Sequence, residues 1–518
     1  MAIPKDILAI ERPKSTVVKQ RGKRFVVIKR TSRRVGKRVL PVDLGQVGEI
    51  IDGKFVECAA AKPVRKRTVE IKDYGEVAMC HKHGRDLLDE LAGVWNIQDA
   101  KRLYAIALLR SAYGDIKNRD LALHYETSFV SEILPGLGLS EQAVSAFLQD
   151  IGMSYSLVCK YMQGRVEKFA DRNIVIDGML KDYNSEDGWM SEYSRKARTK
   201  GSRDLNMLYA YDPLSREPVA AKPYPGNMLD STAVEDFVNE YRIRRGLMIF
   251  DKGFWNDALF EAIDGNKDLA YLIPLKQNSR LIGNYGMDTP TEKLEGYKDA
   301  TILYKKARMA NGKYLYAFRD PKLAAEQEIA YVQKASSGKP LNKAKYEDKR
   351  PRFGLVVFKS RKDLDPLDAY LAYASRWDIE VMFNLYKNII DRGTVNVHTD
   401  YRVIATELIN FISTIISSRV KTEIVKRELN KSYSMKQVFK YLSKYKKVRT
   451  SENGRWKTAN MLKYIEELTE KLGVKGAILE IFYLICSILF QNLLNFHAQG
   501  ASFIGSPTAR NYSKFASK

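Results

Sequence analysis

Asn173-Ile174-Val175-Ile176-Asp177-Gly178 is the stretch on which the fold turns. Three apolar, β-branched or strand-favouring positions in a row, Ile174 to Ile176, closed by a carboxylate and a glycine, read as a short buried strand. On its N-terminal side the pattern is different. Over 76–165, apolar residues such as Leu87, Leu88, Leu91 and Val94, and later Val144, Phe147 and Ile151, recur at helical spacing. On its C-terminal side the pattern is mixed: strands over 205–211 and 218–221 joined across Asp212-Pro213, a helix over 231–244 with Ser231 or Asp230 as N-cap, and a strand over 247–250. A helix after Asn256 and a strand over 270–274 complete the run. Three strands, a helix, a strand, a helix and a strand make an α/β order with a mixed sheet.

Further out, 276–365 loses helical periodicity and reads as a β-rich insertion, with strands over 301–304, 314–318 and 355–358. A long helix is predicted from about Asp365 through Glu380 towards Ile390, and 400–518 reads as mostly helical. The expected organisation is therefore 1–75, a basic β-rich arm, and 76–165, a helical domain suited to binding DNA ends. The α/β core would be split as 166–275 and 366–410 around the insertion 276–365, with 411–518 a basic helical C-terminal domain.

The chain has 518 residues and 86 Lys+Arg against 62 Asp+Glu, a net charge of +24. A surplus of that size points to a polyanionic partner, and nucleic acid is the commonest. The charge is clustered: residues 1–38 hold 13 basic and 2 acidic side chains, and 419–463 hold 14 and 3. Segments 25–28 and 39–44 flank Gly36 and suggest a basic hairpin, readable as a phosphate-contacting arm or as a solvated tail. Cys58, Cys80, Cys159 and Cys486 form no C-x-x-C pair, so they read as core hydrophobes in a reducing compartment. His81 and His83 lack a second ligand pair, and metal binding there is the weaker reading. The N-terminal 1–14 has no apolar signal region, and the apolar stretch 481–490 is about half the length that spans a bilayer. It reads as a buried or partner-facing helix. A cytoplasmic protein acting at DNA, with no membrane association, is expected.

Asp177 and Asp251 each follow an apolar strand and precede a glycine, directly in Asp177-Gly178 and after one residue in Asp251-Lys252-Gly253. Carboxylates leaving a buried strand emerge where ligands collect in α/β folds, and glycine leaves room for a close approach. A pair of them is what a hard divalent cation needs. The third candidate is Glu380, in Tyr373-Ala374-Ser375-Arg376-Trp377-Asp378-Ile379-Glu380 with Lys387 beyond. On an ideal helix Tyr373, Arg376, Glu380 and Lys387 fall within an arc of roughly 60°. An ordinary solvated face with Arg376 paired to Glu380 would give the same stripe.

The spacing Y-x-x-R-x-x-x-E-x-x-x-x-x-x-K, met by Tyr373, Arg376, Glu380 and Lys387, resembles the signature of a group of bacterial insertion-sequence DDE transposases. The chain is similar to that group also at Asp251-Lys252-Gly253-Phe254, at Tyr224-Pro225-Gly226-Asn227 with Asp230, and in the basic loop around Arg195, Lys196, Arg198 and Lys200. Asp177 departs slightly, being followed by Gly178-Met179 where relatives often carry a small hydroxyl residue. The resemblance covers about 170–410. It implies a ribonuclease H-like α/β catalytic core with a β-rich insertion, flanked by mainly helical N- and C-terminal domains. Asp177, Asp251 and Glu380 would be catalytic and metal-binding, holding two Mg²⁺ ions with Mn²⁺ as a substitute. Tyr373, Arg376, Lys387 and the basic loop would contact double-stranded DNA; Trp377 would stack on an extruded base or, as the simpler role, pack in the core. Strand cleavage at element ends and transfer of the 3′-OH to target DNA would result, carried out by a homodimer on DNA. Two other readings stay open: a non-catalytic domesticated DNA-binding relative, and a ribonuclease H-like nuclease without strand joining.

Overall fold

The computed structural model describes residues 3–35, 38–57, 69–186, 188–194, 201–297, 301–336, 342–390, 393–451 and 454–475. The loop residues Arg195, Lys196, Arg198 and Lys200, the apolar stretch 481–490, Gly36, Cys58 and Cys486 lie outside them. The chain divides into two compact units, residues 1–70 with 449–454, and 71–448 with 455–518.

The smaller unit is a four-stranded antiparallel meander, β1 (Thr16–Arg21), β2 (Arg24–Val35), β3 (Arg38–Ile51) and β4 (Lys54–Glu57). The hairpin expected around Gly36 is present and longer than the apolar segments suggest, pairing Arg24–Val35 with Arg38–Ile51. Asp52 and Gly53 both have positive φ, which is the twist a two-residue hairpin loop requires. Its small core is Val18, Val27 and Ile50, with Ile3, Ile7, Phe25 and Phe55 packed round it.

In the larger unit, helices come first: α1 (Gly75–Gly84), α2 (Ile97–Tyr113), α3 (Glu141–Met153) and α4 (Tyr155–Lys168). Asn96 caps α2 by accepting from Gln98 N and Asp99 N, and Ser140 caps α3. The sheet comes next: β5 (Asn173–Asp182), β6 (Glu192–Tyr193), β7 (Arg203–Asp212), β8 (Glu217–Pro225), α5 (Asp230–Glu240), β9 (Gly246–Phe250), α6 (Asp257–Asp264) and β10 (Leu269–Pro274). Apart from two-residue β6, this is the expected order. The helix over 231–244 is shorter, and its N-cap is Leu229 rather than Asp230 or Ser231.

Two features of 276–365 differ from the sequence reading. Its strands β11 (Glu292–Lys293), β12 (Leu303–Arg308), β13 (Tyr314–Arg319) and β14 (Leu355–Ser360) continue the central sheet, in the order β11-β12-β13-β14-β10-β9-β5-β7-β6, with β8 beside β7. Helical structure also returns there, as α7 (Pro321–Ser336) and a short helix at Lys343–Lys349. Most described residues of α7 are exposed, so it lacks the apolar stripe that marks a packed helix.

The predicted long helix is two, α8 (Pro366–Ala374), capped by Asp365, and α9 (Arg376–Leu385), broken at Ser375 and succeeded by a π-helical turn, Tyr386–Ile390. Next comes α10 (Asp400–Lys426), whose length and composition would suffice to cross a membrane; its most apolar window is 94% buried within the fold. It packs on α1, α2, α3 and β8. Gly152 allows the contact with α3, since a Cβ there would collide with the Tyr401 carbonyl. A boundary at 410 would cut this helix in two. Beyond it lie α11 (Met435–Leu442), short paired strands at Lys446–Arg449 and Lys457–Thr458, and α12 (Lys463–Lys471). Cys80 is fully buried, whereas Cys159 is half-buried and donates to Glu240 Oε1 at 3.0 Å, so only the first is a simple core hydrophobe.

Candidate active site

Ile174, Val175 and Ile176 are buried, which fixes β5 in mid-sheet between β9 and β7. Asp177 does not end the strand, as its glycine suggested; β5 runs on to Asp182. Gly178 is accordingly not a turn residue. Its N–H donates to Asp177 Oδ1 at 2.8 Å, and a Cβ on it would press on the Met207 carbonyl oxygen at 3.3 Å.

β9 runs parallel to β5 with Ile249 opposite Val175 and Phe250 opposite Ile176. Continuing that register by one residue brings Asp251 level with Asp177 on the neighbouring strand, a backbone separation of about 5 Å. Asp251 keeps an extended backbone (φ −80°, ψ 160°) before the 3₁₀ turn Lys252–Phe254.

Glu380 comes from α9. Ile379, Met382 and Phe383 are buried, and the Phe383 ring meets Tyr209, the residue paired with Asp177, at 5.6 Å. The helix thus covers the sheet face that bears Asp177. Arg376, one turn before Glu380, joins the two acids: its Nη1 lies 3.6 Å from Asp177 Oδ2 and 3.2 Å from Glu380 Oε1. One guanidinium therefore reaches both carboxylates.

Burial raises the Asp177 carboxyl, the hydrogen bond from Gly178 and the charge of Arg376 lower it, and Asp251 and Glu380 raise it again; it ends at about 6. Asp177 is a carboxylate short of positive charge. Among the described residues no three His, Cys, Asp or Glu side chains form a ready metal-binding group. The acids here fit a hard divalent cation in donor type and in charge, with Arg376 as the counter-charge in place.

The remaining signature residues separate. Tyr373 is half-buried with its ring 4.3 Å from that of Phe358, and burial pushes its phenol upward. Trp377 is not a core residue: it is 59% exposed, and the Arg376 guanidinium lies 5.0 Å from its ring centre. Lys387 sits in the π-helical turn and lines a cavity of about 270 Å³ with Tyr113, Lys436 and Phe439. The single stripe predicted for an ideal helix is thus interrupted at Ser375 and again at Tyr386, where the periodicity changes. In the Tyr224-Pro225-Gly226-Asn227 segment, Gly226 is needed because a Cβ would strike the Asp204 and Glu192 carbonyls.

Sequence reasoning missed a buried cluster further along β5, on the face that bears Asp177. Lys181 Nζ donates to Glu407 Oε1 at 2.6 Å and to Tyr386 Oη at 2.8 Å, and Tyr386 donates to Glu407 Oε2 at 2.6 Å. Asn410 donates to Tyr386 Oη at 3.1 Å and accepts from Arg110 at 2.6 Å. The only signal was an odd one: a lysine within an otherwise apolar strand run, and a glutamate in an apolar helix. His81, also buried, has Nδ1 2.9 Å from Tyr104 Oη and so has a structural partner.

Among solved structures, the chain is similar to a piggyBac transposase synaptic complex with hairpin DNA, at 11% identity and a TM-score of 0.36, covering 72% of this chain and 80% of that one. A Mos1 transposase paired-end complex with the left transposon end is similar at 12% identity and a TM-score of 0.14, covering 30% and 58%. No curated protein matches the sequence. Residues 169–414, which begin just before β5 and end within α10, match the family model of the transposase DDE domain.

Proposed function

We propose that the protein is a transposase of the bacterial insertion-sequence type with a ribonuclease H-like core, and that Asp177, Asp251 and Glu380 are its catalytic carboxylates. The observation that carries this reading is that Arg376 reaches both Asp177 and Glu380, while Asp251 directly follows Phe250 on the strand paired in parallel with that of Asp177. The DDE-domain match over 169–414 and the net charge of +24 support it.

Two divalent ions, Mg²⁺ or Mn²⁺ in its place, would be held by Asp177, Asp251 and Glu380, and would activate the attacking oxygen and neutralise charge on the phosphate. The chain's own side chains do the rest. Asp177, held in the sheet by its neighbours and by the Gly178 N–H, keeps a fixed orientation. Arg376 gives up the carboxylates and turns its two-pronged donor face to a strand phosphate; Lys387 and Tyr373 add contacts along the same strand. Trp377, exposed beside Arg376, offers a ring on which a base stacks. Water attacks the phosphate at the element's end, the bond to the 3′ oxygen breaks, and a 3′-OH is released. That hydroxyl attacks a target phosphate, forming the new P–O bond as the target's own 3′ oxygen leaves. Two ends cut in concert call for a homodimer on double-stranded DNA, with the basic loop of Arg195, Lys196, Arg198 and Lys200 adding phosphate contacts, in the cytoplasm at the nucleoid.

Glu380→Gln tests the assignment. Binding to a duplex carrying the element's end should stay within about twofold, while Mg²⁺-dependent cleavage falls by at least about 10³-fold. Cleavage at the wild-type rate would remove Glu380 from the site. Joining of a pre-cleaved 3′-OH end to plasmid separates a transposase from a nuclease that only cuts.

A further inference from the structure

The smaller unit contains a feature its own core does not explain. β1 pairs with β2 only as far as Lys29, and β4 pairs with β3 only from Gly48. Between those limits β2 and β3 continue alone as a two-stranded ribbon, pairing Arg30 with Asp43 through to Val35 with Arg38. Six residues of each strand give it a length of roughly 20 Å. Every described side chain at 31–34 and 39–46 is exposed, so both faces are open. An isolated two-stranded ribbon is marginal in water, and this one carries Val39 at 63% exposure and Leu40 at 49%. Such a ribbon gains its order from something that covers both sides.

Charge identifies the cover. From 24 to 48 the sequence has seven Lys or Arg and one acid, Asp43. That acid is already neutralised, accepting from Lys19 Nζ at 2.5 Å and from Arg30 Nε at 2.8 Å. Arg33 and Arg34 have no carboxylate partner among the described residues. Directly paired residues share a face, so Arg33 stands with Leu40 and Thr31 with Val42 on one side, while Arg34 stands with Val39 and Ser32 with Pro41 on the other. Each face thus offers one guanidinium without a carboxylate partner, set among short side chains; Arg30, on the face of Arg34, is already paired with Asp43. A second copy of the ribbon would set arginine against arginine and cover one face only.

We propose that the β2–β3 ribbon stands in the major groove of DNA, Arg33 on the phosphates of one wall and Arg34 on those of the other, with the aliphatic side chains against deoxyribose. A single sheet layer with side chains on both faces is about 10 Å thick, which the major groove, about 12 Å wide, admits and the minor groove, about 6 Å wide, does not. The choice of DNA as ligand rests on the proposed transposase function, but the ribbon makes contacts that the carboxylate site does not.

The test uses the full-length protein and a fluorescent 40-base-pair duplex of mixed sequence without divalent metal. Affinity is measured against KCl for wild type and for Arg33→Gln/Arg34→Gln. Losing two phosphate contacts should lower the slope of log K against log salt by about 2 and weaken binding roughly tenfold or more near physiological salt. Methyl green, which occupies the major groove, should compete with the wild type more than netropsin, which occupies the minor groove. Amide exchange over 30–34 and 39–46 should slow on binding. An unchanged salt slope with unchanged exchange overturns the proposal, as does competition by netropsin alone. A change in sedimentation of the free protein with no change in slope also overturns it, by giving the ribbon to a second copy. The two readings fail separately: end cleavage by the wild type together with equal salt slopes for wild type and variant sinks the ribbon and spares the transposase. A slope change with no end cleavage does the reverse.

Discussion

Asp177 and Lys181 stand four residues apart on β5 and therefore on the same face of the sheet, yet their ion pairs are built differently. Lys181 and Glu407 are sealed, 0% and 2% exposed, at 2.6 Å, with Tyr386 and Asn410 taking up the remaining donors and acceptors. Asp177, Arg376 and Glu380 are looser, at 3.6 and 3.2 Å, and Glu380 is 41% exposed. In the first cluster each group supplies what its neighbour needs. In the second, Asp177 remains raised to about 6, because burial and two further acids outweigh one guanidinium. Completeness marks a lock and incompleteness marks a place for a ligand. The lock binds β5 to the turn after α9 and to α10, so it holds the strand and the helix that carry two of the three acids.

The largest expected effect comes from breaking the lock. Glu407→Gln leaves the Lys181 ammonium buried without a counter-charge, and unfolding in urea should show a loss of about 3–5 kcal/mol. Lys181→Met with Glu407→Leu removes both charges and should recover most of that. If the single variant matches wild type, the Lys181–Glu407 pair is not structural.

The second effect has the opposite sign and concerns the incomplete site. In metal-free protein Asp177 is raised from an ordinary 3.8 to about 6, so folding favours its protonated form. That contribution is fully present below pH 3.8 and is lost as pH rises through about 6, above which the charged form costs up to about 3 kcal/mol. Asp177→Asn should therefore stabilise the metal-free protein at pH 8, with the gain shrinking to nothing near pH 4. A variant less stable than wild type at pH 8 would mean that Arg376 fully compensates Asp177.

Much of this was open to reading from sequence. The apolar strands before Asp177 and Asp251 and the offsets from Tyr373 to Glu380 singled out the candidate residues, because strand burial and helix phase are local properties. What sequence could not give was long-range. Asp177 lies within β5 because β7 pairs with it past Gly178, a contact set by residues thirty positions away. Trp377 faces outward because α9 starts afresh after Ser375, so a phase carried from Tyr373 no longer holds. The strands of 276–365 join the sheet through β10 and β14, a pairing no local pattern encodes. Lys181 and Glu407 lie more than two hundred residues apart, and each alone reads as an anomaly.

The smallest expected change separates a structural role for Arg376 from a functional one. Its contact with Glu380 is half-exposed and spans one helical turn, a type worth about 0.5 kcal/mol, and its 3.6 Å approach to Asp177 adds little more. Arg376→Gln should then cost at most about 1 kcal/mol at pH 8. Because Arg376 holds the Asp177 carboxyl down, its loss should move that carboxyl further above 6, visible by NMR titration of labelled aspartate. The stability effect should fade as pH falls through that range, since a protonated Asp177 no longer attracts the guanidinium. Binding of end DNA, in contrast, should weaken at every pH. A large stability loss with unchanged DNA affinity would make Arg376 a second lock, and the contrast between the two clusters on β5 would disappear.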